Sequence, residues 1–339
     1  GYYEEFPWDS AAVAEGRVPH NWEADGLTAH VVNNAMAVKY PGLWYEQSGA
    51  ERYRAAVYSA LEKYDAHHGQ AGGRFSGDEH LSGRSPAQGT EMCAVVELMY
   101  SLENLLEIFG DPVLADRLEY LAYNSLPGTM TPDGWAHQYD QQTNQVLVSV
   151  DERDWSTNGP ASNIYGLMPN YPCCLANMHQ AWPKLVHHMW MASRDNGLTA
   201  LVYGPCTVDA VVGNGTAVTV TVATEYPFDG SVVIDVNPEQ EAAFPLHLRI
   251  PSWSEQTVLS VNGIEKTVLP GTLATVSRTW KKGDRVELAL DMRVRTETGY
   301  NGSVSVLRGP LYFGLRIDKE YRRVFFDERS FSSIDYMGS

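Results

Sequence analysis

The sequence predicts an α+β protein in which a region of paired helices precedes an antiparallel β-sandwich. Three observations carry this. Apolar residues recur at three- and four-residue steps from about residue 27 to 193. Beyond Gly197 they fall instead into short runs rich in Val, Thr and Leu, separated by turns such as Asn214-Gly215, Asn262-Gly263 and Lys282-Gly283-Asp284. A length of 339 residues, 44% of them hydrophobic, gives room for two domains with sizeable cores.

Residues 27–47 and 50–66 read as an antiparallel helix pair, with Pro41 kinking or ending the first member. Over 90–109, Thr90 can cap and Val95, Leu98, Met99, Leu102, Leu105, Leu106 and Phe109 line one face. Gly110 stops that helix, and Asp111-Pro112 supplies a cap and first-position proline for the next, which carries Leu114, Leu118, Leu121 and Tyr123. A last helix is expected from about Cys174 to Ser193, interrupted at Pro183. The stretch 128–172, rich in Gly, Pro, Asn and Gln, reads as working loops or short strands. Strands are expected over 198–203, 207–212, 217–224, 231–236, 246–250, 257–261, 274–280, 285–290, 303–307 and 311–316. The sequons Asn214-Gly215-Thr216 and Asn301-Gly302-Ser303 read as hairpin turns.

A formal charge of −17 leaves no basic footprint for nucleic acid or an anionic membrane. No apolar run has the length of a membrane span, and residues 1–30 contain no signal-peptide pattern. Four cysteines in a chain of this size do not suggest a disulfide framework. The opening string GYYEEF reads like the middle of a domain, so the chain is expected to be a fragment. Acid-rich composition with unpaired thiols points to the cytoplasm, or to the periplasm where the native N-terminus carries a signal.

Chemistry concentrates in two places. Glu91-Met92-Cys93 and Cys173-Cys174 supply three thiols and a carboxylate, a plausible tetrahedral zinc set, although buried cysteines serve equally as small hydrophobes and neither half is a CxxC pair. Both pairs fall at expected helix starts, where the dipole favours thiolate. Glu91 and Cys93 would point about 200° apart on a regular helix, so they converge only if Glu91 sits at or before the first turn. The second place is Phe75-Ser76-Gly77-Asp78-Glu79-His80, whose paired carboxyls suit acid or base work, while a solvated turn remains the plainer reading. His67-His68, His187-His188 and His30 are scattered, and a structural role is the ordinary one for each. The nine Trp and nineteen Tyr can stack on sugars or fill cores.

Several strings, in order, resemble one family: HVVNNAMAVKYPGLWY at 30–45, GTEMCAVVELMYSLENLL at 89–106, DRLEYLAYNSLPG at 116–128, AHQYDQQTNQV at 136–146, PCCLANMHQAWPKL at 172–185 and LRIPSW at 248–253. They are similar to the β-L-arabinofuranosidase-like glycoside hydrolases, family 127 and its relatives, over roughly residues 1–320. The resemblance implies part of an (α/α)6 barrel followed by the β-sandwich. Residues 1–196 would be the C-terminal part of the catalytic barrel, 197–320 the sandwich and 321–339 the start of a further segment or tail.

It also implies a Zn2+ ion held by Glu91, Cys93, Cys173 and Cys174, with Cys173 as nucleophile. His30 matches a histidine of the sugar pocket and Tyr139 a pocket tyrosine. The family's general acid follows a His-Gly pair, where this chain reads His68-Gly69-Gln70-Ala71. Gln70 cannot donate a proton as an acid does, which makes Glu79 the candidate and leaves the arabinofuranose specificity in doubt. The implied function is a retaining exo-glycosidase acting on L-arabinofuranose or a related sugar of plant glycans. The alternatives are a metal-assisted polysaccharide lyase or hydrolase with Cys173 purely a ligand, and a non-catalytic carbohydrate-binding or structural zinc protein.

Overall fold

The structure, a computed structural model, describes residues 29–145, 147–153, 156, 158–318 and 320. The expected helix start at 27 and the whole of the tail at 321–339 lie outside them. The first expected helix is two: α1 (Val31–Ala37) and α2 (Tyr40–Ser48), broken at the Val38-Lys39 turn, with Pro41 in the first turn of α2. After Gly49, in the left-handed region at φ 63°, α3 (Glu51–His68) returns along α2.

Thr90 does not cap the next helix. It lies in a short strand, β1 (Gly89–Glu91), and α4 (Met92–Phe109) begins at Met92 with Glu91 in the extended N-cap position. The apolar stripe of α4 is almost wholly buried, and Gly110 ends it at φ 62°. Asp111 then caps α5 (Pro112–Tyr120) by accepting from the Val113 N–H, with Pro112 at the first position. A π turn, Leu121–Ser125, and a 3-10 turn, Pro127–Thr129, follow. The long loop region carries β2 (Asp140–Gln142), which pairs antiparallel with β1. The last helix, α6 (Cys173–His188), runs through Pro183 without a break and stops five residues earlier than expected, because 190–192 form a strand.

That strand, β3 (Trp190–Ala192), opens a four-stranded sheet with β4 (Leu198–Ala200), β8 (Ala242–Ile250) and β11 (Thr272–Trp280) in the order β11-β8-β4-β3. A six-stranded antiparallel sheet contains β5 (Cys206–Val212), β6 (Thr216–Thr224), β7 (Ser231–Pro238), β9 (Val258–Val261), β10 (Ile264–Thr267) and β12 (Asp284–Ala289) in the order β10-β9-β12-β7-β6-β5. Val220, Val222, Ile234 and Val236 of this sheet and Leu246, Leu248 and Ile250 of the other alternate inward to one core. One pairing departs from the antiparallel expectation: β4 runs parallel to β8. β13 (Val294–Thr298), β14 (Val304–Arg308) and β15 (Leu311–Phe313) form a third small sheet. Asn301-Gly302 turns between β13 and β14, both residues at positive φ.

Helices and sandwich are bolted together by Arg249 of β8. Its guanidinium is fully buried between Asp116 and Glu119 of α5, and Glu119 also accepts from the Tyr226 hydroxyl. Among the described residues, no helix is long and apolar enough to cross a membrane.

Candidate active site

Two helix starts and one loop build the site. Glu91 stands opposite Asp140 in the β1–β2 pair, and the Met92 N–H donates to the Tyr139 carbonyl at 2.9 Å, so the chain enters α4 with Cys93 in its first turn. Helix α6 begins at Cys173 directly after Pro172 and packs against α4. Four thiol and carboxyl groups thus meet at two positive helix ends.

The ligand atoms of Glu91, Cys93, Cys173 and Cys174 all lie within 4.8 Å of one another. Cys93 Sγ is 3.3 Å from Cys174 Sγ, and Glu91 Oε1 is 3.4 Å from Cys173 Sγ and 3.9 Å from Cys174 Sγ. All three cysteines are free thiols. Glu91, Cys93 and Cys174 are buried, whereas Cys173 is half-buried and faces Tyr139, its Sγ 3.7 Å from the phenol oxygen.

The 75–83 segment is no solvated turn. Ser76 and Asp78 are buried, and backbone bonds run from the Gly77 N–H to Gly89 and from the Glu91 N–H to Gly77. On its other side the Val31 N–H donates to the Glu79 carbonyl and the Leu81 N–H to Ala29. A Cβ at Gly77 would lie 2.6 Å from Val31 Cβ, so only glycine lets the segment pass. Sewn in this way, Glu79 sits between Tyr139, whose hydroxyl is 2.6 Å from Oε1, and His30, whose Nε2 is 3.3 Å from Oε2.

Gln70 is turned elsewhere: its amide donates to the Ser85 carbonyl at 2.7 Å and accepts from the Thr143 hydroxyl at 3.0 Å. Other histidines serve structure. His68 Nδ1 accepts from the Gly83 N–H at 2.9 Å, and His188 meets the buried Glu103 at 3.3 Å. Cys206 opens β5, away from the thiol set.

The groups interact strongly. Hydrogen bonds from Cys174 and Cys93, with smaller ones from Tyr139 and Glu91, hold the Cys173 thiol far below the ordinary range despite burial. The bond to Cys173 pushes Cys93 up, and burial does the same to Cys174. Burial first, then the charges of Glu79 and Cys173, raises the Glu91 carboxyl. Asp140 is raised by burial and by Asp78 and Glu91. Sequence reasoning had missed Asp140: it is fully buried, its Oδ2 accepts from Asn158 at 3.0 Å, and Oδ1 has no partner among the described residues. The only signal was its position next to Tyr139.

A metal ion fits the thiol set. Three thiols without a disulfide converge on Glu91 Oε1, with the Cys93 and Cys174 sulfurs 3.3 Å apart and Oε1 3.4 Å from Cys173 Sγ. Tetrahedral zinc with bonds of about 2.3 Å to sulfur sets its sulfurs roughly 3.8 Å apart.

Comparison with known proteins identifies the family. The family model for the β-L-arabinofuranosidase GH127 catalytic domain matches residues 15–187, and that for the GH127 middle domain matches 197–292. No curated protein matches the chain. Among solved structures, a glycoside hydrolase aligns with TM-score 0.73 at 24% identity over 84% of this chain and 51% of its own. A GH127 β-L-arabinofuranosidase from Geobacillus stearothermophilus T6 aligns with TM-score 0.73 at 22% identity, over 90% of this chain and 52% of its own. A further GH127 β-arabinofuranosidase aligns at TM-score 0.66 and 20% identity, over 84% and 47%. The chain spans about half the length of these structures.

Proposed function

The chain belongs to the GH127 β-L-arabinofuranosidase family, and on that premise we propose that it carries the active site of a retaining exo-glycosidase with Cys173 as nucleophile and Glu79 as acid and base. Its substrate is a glycan ending in L-arabinofuranose or a related sugar. The helices are read as the later part of an (α/α)6 barrel, residues 1–196, and 197–320 as the sandwich domain.

The observation that carries this reading is Tyr139, which touches both proposed groups. Contacts of 2.6 Å to Glu79 and 3.7 Å to Cys173 keep the carboxyl oxygen within about 6.3 Å of the sulfur. Retaining glycosidases hold their two groups roughly 5–5.5 Å apart, and inverting ones about 6.5–9.5 Å to admit a water. The phenol has one proton. In the structure the phenol donates to Glu79 Oε1 and accepts from the Cys173 thiol; once the thiol is ionised, that single proton can turn to the thiolate, which frees Glu79 to carry a proton of its own for the first step.

In that step the Cys173 sulfur attacks the anomeric carbon while Glu79 gives its proton to the departing oxygen, forming a thioglycosyl enzyme. Glu79, now a carboxylate, takes a proton from water, and the hydroxyl displaces sulfur with net retention. A zinc ion held by Glu91, Cys93, Cys173 and Cys174 would supply a standing thiolate and ease its departure.

Metal content of the purified protein and turnover by Cys173→Ser test the reading together. About one zinc per chain and no turnover by the variant are expected. A folded, metal-free wild type would remove the zinc assignment, and an active variant would remove the nucleophile.

A further inference from the structure

We propose that His30, Glu79 and Glu91 form a second, weaker site for a divalent transition-metal cation, zinc above all, and that filling it blocks the active site. The proposal builds on the thiol set as the first metal site, but it is carried by different atoms.

One ligand atom from each of His30, Glu79 and Glu91 lies within 4.8 Å of the others. Imidazole nitrogen with two carboxylates is a donor set that zinc accepts, and three protein ligands leave a fourth position for water. Glu91 is the hinge between the two sets. Its Oε1 makes the contacts to Cys173 and Cys174, while Oε2 is buried without a partner among the described residues. A carboxylate with one oxygen engaged and the other free can bridge two ions.

His30 and Glu79 also give the ion a way in. Their side chains keep 27% and 19% of their exposure, whereas Cys93 and Cys174 are buried. An ordinary His–Glu pair needs no third carboxyl. Here a buried one faces it, and Asp140 stands opposite that one in the β1–β2 pair. A dication favours the ionised form of each carboxyl that it touches. Bound there, it would occupy the Glu79 carboxyl that carries the proton in the proposed reaction and the nitrogen of His30, which the family resemblance assigns to the sugar pocket. Excess zinc is therefore expected to inhibit.

Without sulfur among its ligands the second site is expected to be weaker than the first, so the two separate in a titration. Equilibrium dialysis of the zinc-loaded protein against rising free Zn2+, with metal counted by mass spectrometry, is expected to show a second ion per chain for wild type. His30→Ala and, independently, Glu79→Gln are expected to keep only the first. In the cobalt-substituted protein the first ion brings thiolate-to-metal absorption and the second adds none. Wild type and both variants stopping together at one ion would overturn the proposal. A first cobalt ion without thiolate absorption would overturn the underlying thiol reading instead, and it shows in the spectrum and not in the count.

Discussion

Cys173 and Cys174 are adjacent, yet one helical step gives them different surroundings. Cys174 points inward to Cys93, and Cys173 stays half-buried beside Tyr139. That difference leaves Cys173 the more accessible of the two, and Tyr139 touches both it and Glu79. Tyr139→Phe is expected to lower kcat by about 10²-fold with KM little changed, since it removes a positioning contact and not a sugar contact. A rise in KM at unchanged kcat would return Tyr139 to the sugar-binding role that the family resemblance gave it. The cluster of Glu91, Cys93, Cys173 and Cys174 was legible in the sequence because adjacent cysteines at one helix start and a Glu-x-Cys string at another are unusual. Glu79 was singled out twice, as one of the paired carboxyls of the 75–83 segment and as the nearest glutamate once Gln70 stood in the expected place of the acid. Asp140 was not legible, because only strand pairing brings it opposite Glu91.

At the scale of elements, the 75–83 segment decides the site, and it was misread as a solvated turn. Its Gly and polar content is that of a surface loop, but those polar groups are satisfied internally: Ser76 by the Gly83 carbonyl, and Gly83 in turn by His68 at the end of α3. Burial holds the His68 imidazole down to about 3 in the folded chain, against about 6.5 unfolded. The folded state therefore keeps His68 neutral, as its acceptor role requires, and its stability contribution is complete above pH 6.5. It drains as pH falls toward 3, because the unfolded chain takes up the proton first. Between pH 7.5 and 5 this group is expected to remove roughly 2 kcal/mol from the unfolding free energy. Urea denaturation of wild type and His68→Asn at both pH values checks it; an equal pH dependence in the two would assign the loss to other groups. The Thr90 cap failed for a related reason. A residue with good capping chemistry was drawn into a strand by pairing with β2, which local sequence does not announce.

For the whole molecule, the succession of helices and then strands was plain from the change in apolar period at Gly197. The alternation of Val232, Ile234 and Val236 on β7 is a direct image of the sheet face. The parallel seating of β4 beside β8, and the strands β10 and β13, could not be read. β10 is exposed along its length and so carries no burial pattern. How the two regions join was also hidden, since Arg249 is far in sequence from Asp116 and Glu119 and all three look like surface charges. Arg249→Met would leave two buried carboxyls without their counter-charge, and is expected to cost about 3–5 kcal/mol by chemical denaturation. A loss under about 1 kcal/mol would mean that apolar packing alone joins helices and sandwich.

The central claim is that Cys173 forms a covalent bond to the sugar, and the most direct measurement is to catch it there. In Glu79→Gln, an L-arabinofuranoside with a leaving group that needs no protonation should still load the thiol, while the hydrolytic step lacks its base. Peptide mass spectrometry after brief incubation is expected to place one pentosyl group on Cys173. An unmodified Cys173 under conditions where the activated substrate is consumed, or a sugar attached elsewhere, would contradict the account.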